Sequence, residues 1–404
     1  MKKQPLYFYF MLAGVFNAMA PIASDLYLPS LPHIADYYHA AITTVQLSIT
    51  TFIFGFALSR IVLATWSDFV GRRRPLLIAL LICVFGGLLC WLSSNIHIFL
   101  FGRLVQGFGA GGSNVLSRVM IRDTVPVKEL PKYNSYNSMI GVTMMAAAPL
   151  FGGYIQHYFN WHLVFLILFI YALLAFVLAW FVIPETNEHH HTTTFCSKAL
   201  RNNFLTLVGS KTYLKYAFIV FLVYGSMVAW LTMGPVVLQK ALLLSPVQYG
   251  WCAALVALGY FLGALLNSRI VGKVGVLVMM RIGALSILLS GAILFVSFVG
   301  FHVVTVCWVV WPTVLMFFGC SLLFANTYGV ALIPYAKIAG IAVAVLGSIQ
   351  LMGGVLTSAI ISWAPDVNQL PSSIIYLIVG VFLMVLLRMI ACLHSCSKRQ
   401  ENSL

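Results

Sequence analysis

The chain has 404 residues, of which 61% are hydrophobic and 8% charged, and its mean hydropathy is +0.99. Soluble domains carry roughly 25% charged residues, so a water-facing surface and a sizeable soluble domain are both excluded. The length suits about a dozen bilayer crossings of about 20 residues each, and the net charge of +14 has to be located along the chain before any partner is inferred from it.

In chain order, apolar runs predict helices over 6–28, 43–66, 75–95, 98–120, 133–155 and 161–183. A second set follows over 214–236, 249–268, 276–299, 302–325, 339–363 and 373–394. Lys and Arg gather in alternate connections: Lys2 and Lys3; Arg72 to Arg74; Arg118, Arg122, Lys128 and Lys132; Lys198, Arg201, Lys211 and Lys215; Arg269 and Lys273; Lys337; Lys398 and Arg399. The opposite connections hold Lys240. The positive-inside rule then puts both termini in the cytoplasm and makes the number of crossings even. The expected fold is all-α, a polytopic membrane protein of twelve transmembrane helices in two pseudo-symmetric six-helix bundles. The charge is a topology signal, so the expected partners are the lipid bilayer and a small-molecule substrate, with no nucleic acid, and the chain is expected to act as a monomer. A competing reading of the start takes Lys2, Lys3 and the apolar run to Ala18-Met19-Ala20 as a cleaved signal peptide.

The most hydrophilic stretch, 184–213, contains Pro184, Glu185 and the run His189 to His191, and reads as a cytoplasmic linker between a first half, 1–183, and a second, 214–404. Three adjacent histidines do not converge on one ion, so no metal is expected. The eight cysteines lie in apolar helices or on the cytoplasmic side, which argues against disulfides. A displacement of 201 positions relates Ser67, Val70, Gly71 and Arg72 to Ser268, Val271, Gly272 and Lys273. The same displacement relates Leu150, Gly152 and Gly153 to Leu351, Gly353 and Gly354, the pattern of a duplicated bundle.

Ionisable groups inside a bilayer are costly and mark function. Asp25 is the only carboxylate within a predicted span. If helix 1 ends near Pro29 to Pro32, Asp25 lies roughly 6 to 10 Å below the outer surface, and Arg103 lies at similar depth. Two readings stand: Asp25 alternates between Arg103, a proton and a cationic substrate, or it forms a permanent ion pair or is solvated by the outer loop. Arg60 likewise either snorkels to the cytoplasmic interface or lines a cavity that attracts anions. The connection Ser67-Asp68-Phe69-Val70-Gly71-Arg72-Arg73-Arg74 joins a helix-ending acid, a turn glycine and inner-face basic residues, the elements of a cytoplasmic latch.

That connection resembles motif A of the major facilitator superfamily, and Arg103, Gln106 and Gly107 resemble its helix-4 motif. Gly141 with Ala148-Pro149-Leu150-Phe151-Gly152-Gly153 resembles the helix-5 motif of its antiporters. Within the superfamily the chain is similar to the bicyclomycin, chloramphenicol and florfenicol resistance family. The stretches carrying this likeness are Asp25 to Pro32, Arg118 with Arg122-Asp123, and Asn326 with Ala331-Leu332, Pro334, Ile338 to Gly340, Gly347 and Gln350. The resemblance implies a secondary active transporter of the bacterial inner membrane that exports small amphipathic drugs or metabolites in exchange for protons, with no cofactor beyond the coupling proton. It implies proton coupling by Asp25 and Arg103 and a cytoplasmic gate of Asp68, Gly71, Arg72, Arg73, Arg122 and Asp123. Helix 5 would be shaped by Gly141, Pro149, Gly152 and Gly153. Ala64, Phe69 and Arg60 depart from the motif, and a dedicated carrier of one metabolite, such as a siderophore or amino-acid derivative, is the alternative. Candidates for the substrate cavity are Tyr27, Arg60, Asn114, Tyr224, Trp230, Asn326 and Gln350; the last two serve either a cavity or an interhelical hydrogen bond. An enzyme is not expected, because His33, His97, His157 and His162 are scattered and no nucleophile has a base beside it.

Overall fold

The computed structural model describes residues 6–126, 129–185, 204–302, 304–364 and 368–401, and these form helices throughout. They are α1 (Leu6–Asp25), α2 (Leu31–Tyr37), α3 (Ile42–Val70), α4 (Arg73–Trp91), α5 (Ile96–Thr124), α6 (Leu130–Tyr158) and α7 (Trp161–Val182). After these come α8 (Lys211–Val236), α9 (Pro246–Val274), α10 (Val276–Phe295), α11 (Val306–Ala331), α12 (Ala339–Ile361) and α13 (Leu370–Glu401). Helices satisfy every main-chain group internally, which a bilayer demands. Three of the starts are closed by polar caps: Asn95 and Asn160 each accept from the backbone N–H three residues on, at 3.0 and 3.1 Å, and Ser210 does the same for Tyr213.

Eleven spans among the described residues are long and apolar enough to cross a membrane. The long helix outside that set is α5, 29 residues carrying the buried Arg103, Gln106 and Asn114. Its polarity is hidden by its neighbours. Gly107 faces the backbone of α3 at Phe52, Gly109 faces α4 at Cys83, and Gly86 of α4 faces Gln106; a Cβ at any of the three would overlap those atoms. Such contacts bring backbones together for dispersion and weak hydrogen bonds where no hydrophobic effect drives association.

The chain divides into two compact units, one of residues 1–197 with 238–254, the other of 198–237 with 255–404. In the first, α1 packs on α5, α6 and α7, while α4 packs on α5 and α7. In the second, α8 packs on α11, α12 and α13, while α10 packs on α11 and α13. These are the same pairings counted from the first helix of each unit. Gly152 of α6 meets the Leu26 carbonyl, and Gly353 of α12 meets the Phe221 carbonyl of α8. The other island of the repeat shifts. Gly71 closes α3 at φ +90°, and its counterpart in conformation is Gly275, at φ +91° between α9 and α10. Gly272, matched to Gly71 by a displacement of 201, lies inside α9. The demand for a left-handed turn, open mainly to glycine, falls three residues later than the sequence match.

Helix ends also differ from expectation, because hydropathy reads only the apolar middle of a helix. The first span does not stop at Pro29 to Pro32. Pro29 opens a short 3-10 turn (Leu28–Ser30) and Pro32 opens α2, so the apolar path runs on to Tyr37. Proline is tolerated in the first turn of a helix, whose N–H groups have no intrahelical partner. Of the expected linker, residues 186–203, including His189 to His191, lie outside the described residues; Lys211 to Tyr213 open α8.

Gly109→Val is expected to overpack α5 against α4, where a Cβ would come within 2.6 Å of the Ala79 carbonyl. A loss of about 1–3 kcal/mol should appear as a lower unfolding temperature in detergent micelles, while Gly272→Ala, in open space inside α9, should leave it unchanged or raise it.

Candidate functional site

Asp25 is the last residue of α1 and 3% exposed. It lies inside the candidate span Met11–Tyr37, twelve residues before Tyr37, because the apolar path continues past the prolines at which the sequence predicts that helix 1 ends. Its Oδ1 accepts from the Ser24 hydroxyl at 2.6 Å. Among the described residues it is the carboxylate placed away from both ends of a span: Asp36 and Asp68 sit within two residues of a span's end.

Arg103, fully buried in α5, has no ion-pair contact with Asp25 among the described residues, one of the two arrangements left open by the sequence. Nη1 donates to the Ala23 carbonyl at 3.1 Å and to Gln106 Oε1 at 2.5 Å. Its guanidinium carbon lies 4.1 Å from the Tyr27 ring centre, 4.3 Å from Phe52 and 5.8 Å from Phe165. Aromatic faces thus carry the charge, and Nε and Nη2 have no hydrogen-bond partner among the described residues. Tyr27, offered above as a cavity residue, forms a wall of this cage, completely buried and sharing a 2.9 Å hydrogen bond with Ser48. The arginine is fastened to residues on both sides of Asp25 in sequence, Ala23 and Tyr27, without being fastened to Asp25 itself.

At the other end of the unit, Arg72 sits between two acids. Nη1 donates to Asp68 Oδ1 at 2.5 Å and Ser67 Oγ at 2.8 Å, and Nε to Asp123 Oδ2 at 2.9 Å. Burial opposes the charge, but the hydrogen bonds and charges of Asp68 and Asp123 outweigh it and hold the Arg72 pKa above its ordinary value. Arg122, exposed, reaches Asp123 at 4.0 Å, and Arg73 Nη2 donates to the Trp180 carbonyl at 2.7 Å. Glu185, read from sequence as a linker residue, belongs to this cluster. Its carboxylate accepts from the backbone N–H of Arg72 at 2.7 Å and of Arg73 at 3.2 Å, capping α4. Glycine is favoured at Gly71 by its positive φ, and a Cβ there would in addition push aside the Glu185 carboxylate.

Helix α6 binds the pieces near Asp25 together. Gly152 lies against Leu26, Gly153 against the Pro246 carbonyl, and the Pro149 carbonyl against Gly250. The neighbouring Tyr249 is fully buried, its hydroxyl has no hydrogen-bond partner, and it lies within electrostatic reach of Asp25 and Tyr27. Deeper in the unit, Asn114 donates to Asn17 Oδ1 at 2.8 Å and Asn17 donates to the Asn137 carbonyl at 3.0 Å, close to Gly141. Asn137 Oδ1 is buried without a partner. Arg60 is half-buried on α3, 5.9 Å from the Phe56 ring centre.

The second-unit candidates do not form one site. Asn326 donates to Asn267 Oδ1 at 2.7 Å, and Gln350 Oε1 accepts from Tyr328 at 2.6 Å; both are interhelical bonds. The Tyr224 ring packs on Gly354. Trp230 lines a cavity with room for about one water, shared with Gln369 and Tyr376, whose Oε1 and hydroxyl are buried without partners. Sequence reasoning passed over Asn17, Asn137, Tyr249, Gln369 and Tyr376 because single polar residues in apolar runs resemble ordinary helix packing.

A profile of the Major Facilitator Superfamily matches residues 10–333. The chain belongs to the major facilitator superfamily. It is 28% identical over 370 residues to a bicyclomycin resistance protein homolog of Haemophilus influenzae, covering 90% of this chain and 91% of that one. It is 23% identical to multidrug resistance protein D of Escherichia coli over 95% of this chain and 96% of the other. In fold it is similar to a D-xylose-proton symporter, with a TM-score of 0.74 at 15% identity, covering 94% and 97% of the two chains. As a superfamily member the chain is a multi-pass membrane transporter and not an enzyme.

Glu185→Ala should remove the α4 cap and cost about 1 kcal/mol, whereas Glu185→Gln, which keeps an acceptor, should cost less. Thermal unfolding in detergent reads the difference, and equal losses would count against the cap.

Proposed function

We propose that this transporter is a proton-coupled exporter of small amphipathic molecules in a bacterial inner membrane, working by alternating access with both termini in the cytoplasm and as a monomer. The observation that carries the proposal is a carboxylate, Asp25, buried within a span and, among the described residues, in no ion pair, beside a caged arginine with two donor atoms that no described residue accepts from. Proton loss from Asp25 creates a charge for which Nε and Nη2 of Arg103 are available partners; proton uptake or a cationic substrate removes the need for them. A group committed to a permanent ion pair could not switch in this way. The resistance proteins among the relatives favour drug-like cargo.

Each conformation needs its own closure. The Asp68–Arg72–Asp123 cluster with Glu185, Arg73 and Arg122 serves as the cytoplasmic latch. The close packing of Pro149, Gly152 and Gly153 serves as the seal near Asp25. Asn114, with Asn17 and Asn137, supplies amide groups for a neutral polar part of the cargo, and Arg60 suits an anionic one. Tyr224, Trp230, Asn326 and Gln350 remain separate candidates for contact with the cargo.

In everted vesicles with an imposed proton gradient, the wild-type chain should load substrate uphill and lose it when a protonophore is added; equilibration indifferent to the gradient would refute coupling. Asp25→Asn should abolish uphill loading at normal expression while substrate binding persists. Phe52→Leu, which removes one face of the arginine cage, should reduce coupled transport several-fold by withdrawing a contact worth about 0.5–2 kcal/mol, and unchanged rates would count against the cage.

A further inference from the structure

Besides Arg60 and Arg103, two more arginines lie inside membrane helices, away from the basic connections. Arg281 is the sixth residue of α10 and Arg388 lies three residues before the end of the α13 span, Leu370–Ala391. Both are exposed. Neither has a hydrogen-bond or ion-pair partner among the described residues, and no Asp or Glu occurs from Val276 to Phe295 or from Leu370 to Ala391.

Their helices fix them at one level. In the antiparallel pair α10 and α13, a Cβ on Gly380 would meet Leu288 and a Cβ on Gly291 would meet Leu377. Moving seven residues from Leu288 and eight from Gly380, toward the same end of the pair, arrives at Arg281 and Arg388. Seven residues are about two helical turns and eleven about three. Arg281 therefore lies on the face of Leu288, and Arg388 on the face of Leu377, so that both flank the seam. Leu285 and Leu289 on α10, with Val381 and Val385 on α13, are 44% to 52% exposed and continue the seam as apolar rails. Two unneutralised cations at one level of a helix pair, beside exposed apolar side chains, suit an anion that brings its own hydrocarbon.

We propose that Arg281 and Arg388 bind the phosphate of an anionic diacyl phospholipid, whose acyl chains lie along the α10–α13 seam; on the orientation proposed above, this is a lipid of the cytoplasmic leaflet. The test uses the purified full chain in neutral-detergent micelles, titrated with phosphatidylglycerol, phosphatidylcholine or inorganic phosphate while the unfolding temperature is followed. Phosphatidylglycerol alone should raise it saturably. R281Q/R388Q should shift the titration midpoint about 30-fold, and R281K/R388K, which keeps both charges, should retain most of the effect. Equal stabilisation by phosphatidylcholine would overturn the proposal, as would a double variant that titrates like wild type. Stabilisation by inorganic phosphate would replace the lipid with a free anion. If R281Q/R388Q does not fold, the wild-type chain at high salt decides: phosphatidylglycerol preference that survives unweakened would overturn the paired-cation site.

Discussion

A helix that carries an arginine, a glutamine and an asparagine into a bilayer has to be covered by other helices along its whole length. In this transporter the cover for α5 is supplied by its own glycines and those of its neighbours, which let the backbones of α3 and α4 close to contact distance. Everything proposed for transport follows from that clasp. It puts Arg103 where water cannot reach it, and brings Phe52 of α3 and Tyr27 of the first span over its guanidinium. It also leaves room for Asn114 to meet Asn17. Side chains larger than hydrogen at those positions would push the polar helix outward toward lipid, where its groups would find no partners.

The two buried arginines of the first unit are satisfied in opposite ways. Arg72 is held by carboxylates, with geometry that fixes both partners, and the same region is tied to the end of α7 through Glu185. Arg103 is held by ring faces and two carbonyl-type oxygens. Rings favour a cation without prescribing its hydrogen bonds, so donors stay open. The first arrangement suits a latch, whose opening must cost something definite; the second suits a charge that has to answer changes next to it.

Much of this was legible in the sequence, and for physical reasons. A bilayer requires long apolar helices, so hydropathy found the spans, and the duplication was visible at Gly152–Gly153 and Gly353–Gly354, where Gly152 and Gly353 each meet a main-chain carbonyl, of Leu26 and of Phe221. Asp25 and Arg103 stood out because charge inside a span is rare. What escaped was whatever depends on neighbours distant in sequence. Asp25 and Arg103 suggested an ion pair, since opposite charges at similar depth attract; the aromatic cage formed by Tyr27, Phe52 and Phe165 comes from three separate helical segments, and no local pattern announces it. Glu185 looked like the start of a linker because its partners are backbone N–H groups more than a hundred residues earlier. The prolines at 29 and 32 were read as stops when they are starts, an ambiguity inherent in a residue that both ends one helix and opens the next.

Those prolines have another consequence. Pro29 has no N–H, so the carbonyl of Asp25, four residues before it, lacks the donor that an unbroken helix would provide. One residue therefore offers a titratable carboxyl on its side chain and an acceptor on its main chain. On the coupling proposed above, a proton carrier that reached the break in the first span would meet the carboxyl and the open acceptor at once.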